Sequence, residues 1–490
     1  MPRAGTDARA WATLGLVSAG LFLAVTSTTM VSVALPGIGA ALHAGPVGLE
    51  WVVDAYALVY AMLLLPVGSL GDRRGRKGLF IAGTTLFAAG ALGCGLAGSL
   101  AELLAARVAQ GAGSALAVSC SLTIIRATFE DARQRATAIG IWSTSSGVAL
   151  ALGPPLGGVL ASAFGWRGVF LALAPAAVLA AAAGARWIPP LERGPAAGRF
   201  DWPGAALGAL APAALSFGAI EGQAHGWTAA VVLAAFGIGA AAVAAFIAWE
   251  LACPVPLVDV RLFGRRAFTA ANLAALVIFF AFVGAIVYLS DYFQQLQHRT
   301  PVTAGLDVSA IGIAYAIAAA LTGRLLPRTG ERLPVIAGLL AAGAAALGLL
   351  RLSADTPIGA IWWNFALLGG AIGVCGTPIS TIAMSAVDQR RAGMASGVVN
   401  AARQLGQAFG IAVLGALVYA RLPAASSTGP IGPAQAPLFV AGLHDALWVS
   451  GISLLAAGAA VAALTRRPRP PGGTAVRTPA IQAPAQGGTR

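Results

Sequence analysis

An all-α integral membrane fold is what this sequence predicts, and three observations predict it. Of the 490 residues, 58% are hydrophobic and only 10% are Asp, Glu, Lys or Arg, whereas soluble domains carry about 25% charged residues. The apolar residues run in long blocks of about 20 or more, the length a helix needs to cross a bilayer. The net charge is +13, and the basic residues gather in short segments between the blocks, as membrane topology demands. That placement removes nucleic acid as the partner of a basic chain; lipid takes its place.

In chain order the blocks are 11–35, 51–70, 79–99, 103–125, 136–162, 168–188, 202–220, 227–250, 268–292, 304–326, 333–351, 358–386, 393–420 and 442–465, fourteen predicted transmembrane helices. The first has no small-residue cleavage pattern and leads straight into further spans, so it is expected to be retained. With the N-terminus inside, 25 Lys and Arg fall in inner segments. Outer loops hold only Arg167, Arg299, Arg351 and Arg421, while Arg107 and Arg403 fall within spans. Both termini are then expected in the cytoplasm, with the body multi-pass in the plasma membrane.

An internal repeat organises these spans. Gly68-x-Leu70-x-x-Arg73-x-Gly75 recurs as Gly323-x-Leu325-x-x-Arg328-x-Gly330, and Asp131-x-Arg133 with Gly140 recurs as Asp388-x-Arg390 with Gly397. Nearly one offset relates both pairs, and it also places Gly153 on Gly410. Duplicated, pseudo-symmetric six-helix bundles are expected at 11–188 and 268–465, in the plan of parallel-repeat transporters. Two inserted central helices with their inner loops occupy 189–267; residues 1–10 and a Pro-, Arg- and Gly-rich tail at 466–490 are cytoplasmic, the tail expected to be disordered.

The inner loop after the second block reads Gly68-Ser-Leu-Gly-Asp72-Arg73-Arg-Gly75-Arg76-Lys77. Its glycines permit a tight turn, and Asp72 suits a helix N-terminus, where the dipole favours an anion. Arg76 is placed to pair with Glu130 or Asp131 at the inner end of the fourth block. A plain basic loop would need neither Asp72 nor the glycines. The stretch resembles the loop 2–3 signature of the major facilitator superfamily, and the resemblance implies a cytoplasmic gate. Leu104-x-x-Arg107-x-x-Gln110-Gly111-x-Gly113 resembles the family's span 4 signature. Arg107 lies about 7–8 Å into its span at 1.5 Å per residue, and an ionisable residue there points to function.

Gly147-x5-Gly153-Pro154-Pro155-x-Gly157-Gly158 resembles the span 5 signature that marks antiporters, with small residues that admit another helix closely. Fragments at Thr28-Thr29, Trp51-Val-Val-Asp54-Ala-Tyr56, Gly165-Trp166-Arg167, Phe200-Asp201-Trp202 and Ala395-Ser396-Gly397 are similar to the fourteen-span drug:proton antiporter branch. The resemblance, covering about residues 11–465, implies proton-coupled export of small, largely apolar compounds by alternating access, with antibiotic resistance as the outcome. It also implies a substrate cavity walled by spans 1, 4 and 5 and their counterparts; Ser27, Trp142, Ser143, Asn400 and Arg403 are the expected wall. Ser27 stands where that branch carries an aspartate, and Pro327 stands where the first repeat has Asp72.

No catalytic triad, phosphate loop or metal-ligand spacing is present in the sequence, and the one lysine, Lys77, lies outside any Gly-rich cradle. An enzyme is therefore not expected, nor a cofactor; the energy is expected from an ion gradient or the solute's own gradient, and the resemblance implies the proton gradient. A proton symporter for a metabolite and a membrane receptor or scaffold are the competing functions. The span 5 motif opposes the first; a scaffold would need neither the buried Arg nor the gated loop. The carboxylates left to carry a proton are Asp54, Asp291 and Asp307, all near the outer face. Asp54 is the first choice, with Arg107 at a similar depth setting its affinity, because moving between wet and dry surroundings changes a carboxyl's hold on its proton. Small solutes, protons and lipid are the expected partners of a monomer.

Reporter fusions test the topology. Fusions after residue 465 and within 189–201 should both report the cytoplasm. An external reading at 465 beside an internal one at 189–201 would exclude fourteen spans.

Overall fold

The computed structural model describes residues 4–190, 201–387, 392–422 and 431–465. These form α1 (Ala4–Leu42), α2 (Pro46–Arg74), α3 (Arg76–Leu96), α4 (Leu100–Thr128), α5 (Ala132–Leu171), α6 (Leu173–Trp187) and α7 (Trp202–His225). They continue as α8 (Ala230–Ala252), α9 (Arg266–Asp291), α10 (Pro301–Thr329), α11 (Arg332–Gly348), α12 (Ile358–Ser385), α13 (Ala392–Tyr419) and α14 (Ala436–Leu464). A π-helical turn, Tyr292–Leu296, extends α9. Among the described residues there is no strand. That is the expected answer of a chain in hydrocarbon, where a helix satisfies its own backbone groups.

Among the described residues, thirteen stretches are long and apolar enough to cross a membrane, against the fourteen spans expected from the sequence. The difference lies at Thr137–Trp187, which runs on as one stretch of 51 residues. Straight helix of that length would reach about 75 Å, far beyond a hydrocarbon core of about 30 Å. Gly165 interrupts it, at φ 69° and ψ 178°, inside α5. That backbone region is open to glycine and closed to most other residues.

Local signals explain where helices start. Ser99 accepts the Glu102 amide (3.3 Å) while the Glu102 carboxylate accepts the Gly98 amide (2.8 Å), a reciprocal cap on α4. Asp201 caps α7 through the Gly204 amide at 2.9 Å. The repeated glycines turn the chain in the same way in both halves, since Gly75, between α2 and α3, and Gly330, between α10 and α11, both adopt positive φ (93° and 69°).

The packing also repeats. α1 lies on α5, α2 on α4, α3 on α4 and α3 on α6; α9 lies on α13, α10 on α12, α11 on α12 and α11 on α14. The two sets meet where α5 packs on α10 and α2 on α13. α7 rests against α2 and α13, and α8 packs on α7. Only 22% of the apolar window of α8 is buried, against 72% for α1, so α8 shows most of its apolar surface to the surroundings, as a lipid-facing helix does.

Candidate functional site

Arg107 is fully buried on α4. Its Nε donates to the Val52 carbonyl at 2.8 Å, and Nη1 donates to Ser27 Oγ at 3.1 Å and to Gln110 Oε1 at 2.8 Å. The guanidinium also lies over the Tyr56 ring, 4.4 Å from its centroid, an attraction strengthened where water is absent. Tyr56 is held in turn by donating to the Ala24 carbonyl at 2.8 Å, with Ser114 Oγ 2.6 Å away. Ser27, expected on the cavity wall, is thus a ligand of Arg107 joining α1 to α4.

The structure does not bring Arg107 and Asp54 together. Arg107 takes the carbonyl of Val52, and a residue two positions further along a helix points about 200° away. Equal depth does not mean equal facing. Both carboxyl oxygens of Asp54 are buried with no hydrogen-bond partner among the described residues.

Arg403, on α13, donates through Nη2 to the Gly376 carbonyl and to Ser380 Oγ, both at 3.0 Å, and through Nη1 to Asn400 Oδ1 at 3.4 Å. It borders a small cavity walled by Phe279, Tyr315, Ile372 and Gly376 of α9, α10 and α12. Asn400 is therefore its neighbour, as sequence placement suggested. Trp142 is buried on α5 with its Nε1 unpaired among the described residues and does not line this cavity. The expected wall residues thus fall into separate groups: Ser27 with Arg107, Asn400 with Arg403, Trp142 apart. The side chain of Ser143 lies outside the described residues.

The α5 motif touches two different helices. A Cβ on Gly153 would strike Thr29, and one on Gly157 would lie 2.8 Å from the Met30 carbonyl, both on α1. A Cβ on Gly158 would strike the Pro301 carbonyl, and one on Gly147 would lie 3.3 Å from the Tyr315 ring, both on α10. The Pro154 carbonyl faces Gly305 of α10. Sequence reasoning missed the α10 side, although Gly305 and Gly312, seven residues apart, share one helix face. Gly312 meets the Ala151 backbone.

The other predicted carboxylates differ in setting. Asp291, at the end of α9, accepts from Gln295 Nε2 at 2.8 Å and from the Tyr419 hydroxyl. Asp307 pairs with Arg299 at 3.8 Å. At the inner end, Asp131 accepts the Gln134 amide at 2.8 Å and so caps α5. Glu130 is exposed beside it, and Arg76 opens α3 half-buried. Gly68 and the side chains of Asp72 and Arg73 lie outside the described residues, as do Asp388 and Arg390. Among the described residues no cluster of His, Cys, Asp or Glu could hold a metal.

Two sets of helices joined along glycine faces, with an arginine set into each, make a membrane transporter rather than an enzyme. The chain belongs to the Major Facilitator Superfamily, whose family model matches residues 17–411. It is 36% identical over 416 residues to the multidrug resistance protein Stp of Mycobacterium tuberculosis, covering 84% of this chain and 76% of that one. It is 34% identical over 407 residues to the methylenomycin A resistance protein of Streptomyces coelicolor, covering 82% and 84%. Against the tetracenomycin C resistance and export protein of Streptomyces glaucescens the identity is 30% over 458 residues, covering 92% and 84%. Among solved structures, a bacterial homolog of the human lysosomal transporter Spinster matches with TM-score 0.67 and 17% identity, over 93% of this chain and 97% of that one. The xylose transporter XylE of E. coli matches at 0.64 and 15%, over 94% and 100%. At such identities these structures share the fold.

The α5–α10 contact yields a steric test. Gly158→Leu should abolish transport while the protein still inserts, because its side chain meets α10 backbone that cannot swing aside. Gly158→Ala should cost about 1–3 kcal/mol, the usual range for overpacking. Gly140→Ala, with open space at its Cβ, should be neutral. Transport and solubilised yield are the readouts; full transport by Gly158→Leu would refute the close contact.

Proposed function

We propose that this protein exports small, largely apolar compounds, antibiotics among them, in exchange for protons. The observation that carries the reading is the α5 glycine–proline face, which packs at once on α1 of its own half and on α10 of the other. A seam without side-chain knobs lets two halves rock against each other, and rocking around a central site is alternating access. The halves are 11–188 and 268–465, each of six spans, with α7 and α8 inserted between them and Gly165 separating the fifth span from the sixth. The repeated packing of α1–α6 in α9–α14 supports that division. The names of the relatives, resistance to methylenomycin A and resistance to and export of tetracenomycin C, support drug export as the direction.

In this reading Asp54 carries the proton. It is buried on α2 with both oxygens unpartnered among the described residues, and burying such a carboxyl costs far less with its proton than without it. Arg107 and Arg403 hold fixed charge, and with no span 1 aspartate beside Arg107 the substrate is neutral or anionic rather than cationic. The protein works as a monomer in the plasma membrane, with the inner loops in the cytoplasm. Asp72, Arg73, Arg76 and Asp131 close the cytoplasmic side.

The direct test compares accumulation of candidate compounds in cells with and without the protein, with and without a proton uncoupler. Accumulation should fall with the protein, and the uncoupler should restore it. Asp54→Asn in vesicles should lose gradient-driven transport and keep downhill exchange; unaltered proton-driven efflux would remove Asp54 from the role.

For the inner gate, Asp72→Asn should leave expression intact and reduce transport severalfold. The lost interaction of an anion with a helix N-terminus is worth about 0.3–1 kcal/mol when exposed and up to about 2 when partly buried. Normal efflux at normal expression would rule out the gate.

A further inference from the structure

The inserted helix α7 lies across a seam between the halves. It packs on α2 of the first half and on α13 of the second, and those two helices also pack on each other. A helix that touches both halves cannot stay fixed to both while they rotate as rigid bodies. It must travel with one and slide over the other.

The two contacts differ in chemistry. On the α2 side, the half-buried Trp51 donates its indole N–H to Glu221 Oε1 at 3.0 Å. The Trp51 ring also lies against Phe217, with centroids 6.0 Å apart and planes tilted by 52°. Phe217 and Glu221 are four residues apart, so they share one face of α7. An indole away from water needs a partner for its N–H, and this one finds it on the inserted helix. Glu221 is steadied in turn, its Oε2 lying 3.3 Å from Nδ1 of His225 one turn on.

On the α13 side the contact is apolar. Ala219 and Ile220 of α7 form one buried cluster with Ala412, and Val413 of α13 and Val47 of α2 pack against it. Trp51 packs against this cluster and against a second one, to which α13 contributes Ala408. Ala408 and Ala412, four residues apart, put two methyl groups on one helix face. None of these α13 side chains carries a polar atom, so no directional bond from them fixes a register. Small side chains allow close approach and leave little for a sliding helix to catch on.

We propose that Trp51 is a positioning residue: through Glu221 and Phe217 it fixes the inserted hairpin α7–α8 to the first half, so that the hairpin travels with α2 and slides over α13. The α2–α13 seam then stays covered while the halves move. The inference rests on the rocking of the halves proposed above, and the experiment separates the two.

The test uses the full chain in vesicles. Val47→Cys, Ala219→Cys and Val413→Cys, taken in pairs, are joined by a bifunctional thiol reagent that a reductant cleaves. The unaltered chain and each single substitution control for Cys94, Cys120, Cys253 and Cys375. A tether between positions 47 and 413 joins α2 to α13 and should abolish transport; survival would refute the rocking itself. With that block established, a tether between positions 219 and 413 should also abolish transport, reversibly, and one between 47 and 219 should leave it within about twofold of the untethered rate. Survival in the first case or loss in the second overturns the assignment of the hairpin to the first half. Glu221→Leu removes the partner of Trp51 and should lower transport severalfold, and the tether between 47 and 219 should restore it, which a folding defect would not permit. Full transport by Glu221→Leu, or a loss that this tether does not repair, overturns the role of Trp51. If Glu221→Leu does not insert, Trp51→Phe, which removes the indole N–H, decides by the same readout.

Discussion

Backbone-to-backbone contact between α5 and α10 is the constraint on which the rest of the architecture depends. Lipid tails are as apolar as leucine, so no hydrophobic force drives one membrane helix onto another; close packing must supply the attraction. Here it is obtained by leaving side chains out. Gly158 faces the Pro301 carbonyl, Gly305 the Pro154 carbonyl and Gly312 the Ala151 backbone. Within each half the same device recurs: Gly153 and Gly157 admit α1 to α5, and Gly406 and Gly410 admit α9 to α13. One rule, applied at equivalent places, builds both halves and joins them.

Charge taken out of water is the second constraint. An ion so removed costs several kcal/mol even after relaxation, and among the described residues neither Arg107 nor the half-buried Arg403 is paired with a carboxylate. Each is bonded to a carbonyl, Val52 or Gly376, and to a serine hydroxyl, Ser27 or Ser380. Carbonyls and hydroxyls of this kind do not titrate in the working range, so both arginines are held in place whatever the pH. The buried carboxyls Asp54 and Asp291 lie elsewhere, on α2 and at the end of α9. Buried bases and buried acids are thereby kept apart.

Much of this was legible in the residues. Block length and charge placement predicted helices throughout, and the duplicated Gly75 and Gly330 marked two turns that both need positive φ. The Arg107 position predicted burial, and the proximity of Asn400 to Arg403 followed from their spacing of three. What was not legible is azimuth. Rise per residue gives depth along a helix, so Asp54 and Arg107 looked like neighbours, yet Val52 faces the arginine and Asp54 turns away. Partners from distant helices were equally hidden: nothing in the α5 motif names α10, and nothing near Asp291 names Tyr419.

The two seams between the halves differ in kind, and the difference bears on mechanism. A proton or solute shifts a conformational equilibrium only through interactions that differ between the two states. The α5–α10 seam is packed by glycine and backbone, and nothing in those contacts changes with protonation. It can serve as a hinge line but cannot sense the gradient. The α2–α9–α13 seam carries Glu50, Tyr288, Asp291 and Tyr419 around one cavity. Its contacts run through hydroxyl and carboxyl oxygens, with Tyr288 donating to Glu50 and to the Ile411 carbonyl and Tyr419 to Asp291. A backbone plan that repeats almost faithfully thus carries unequal chemistry on its two sides.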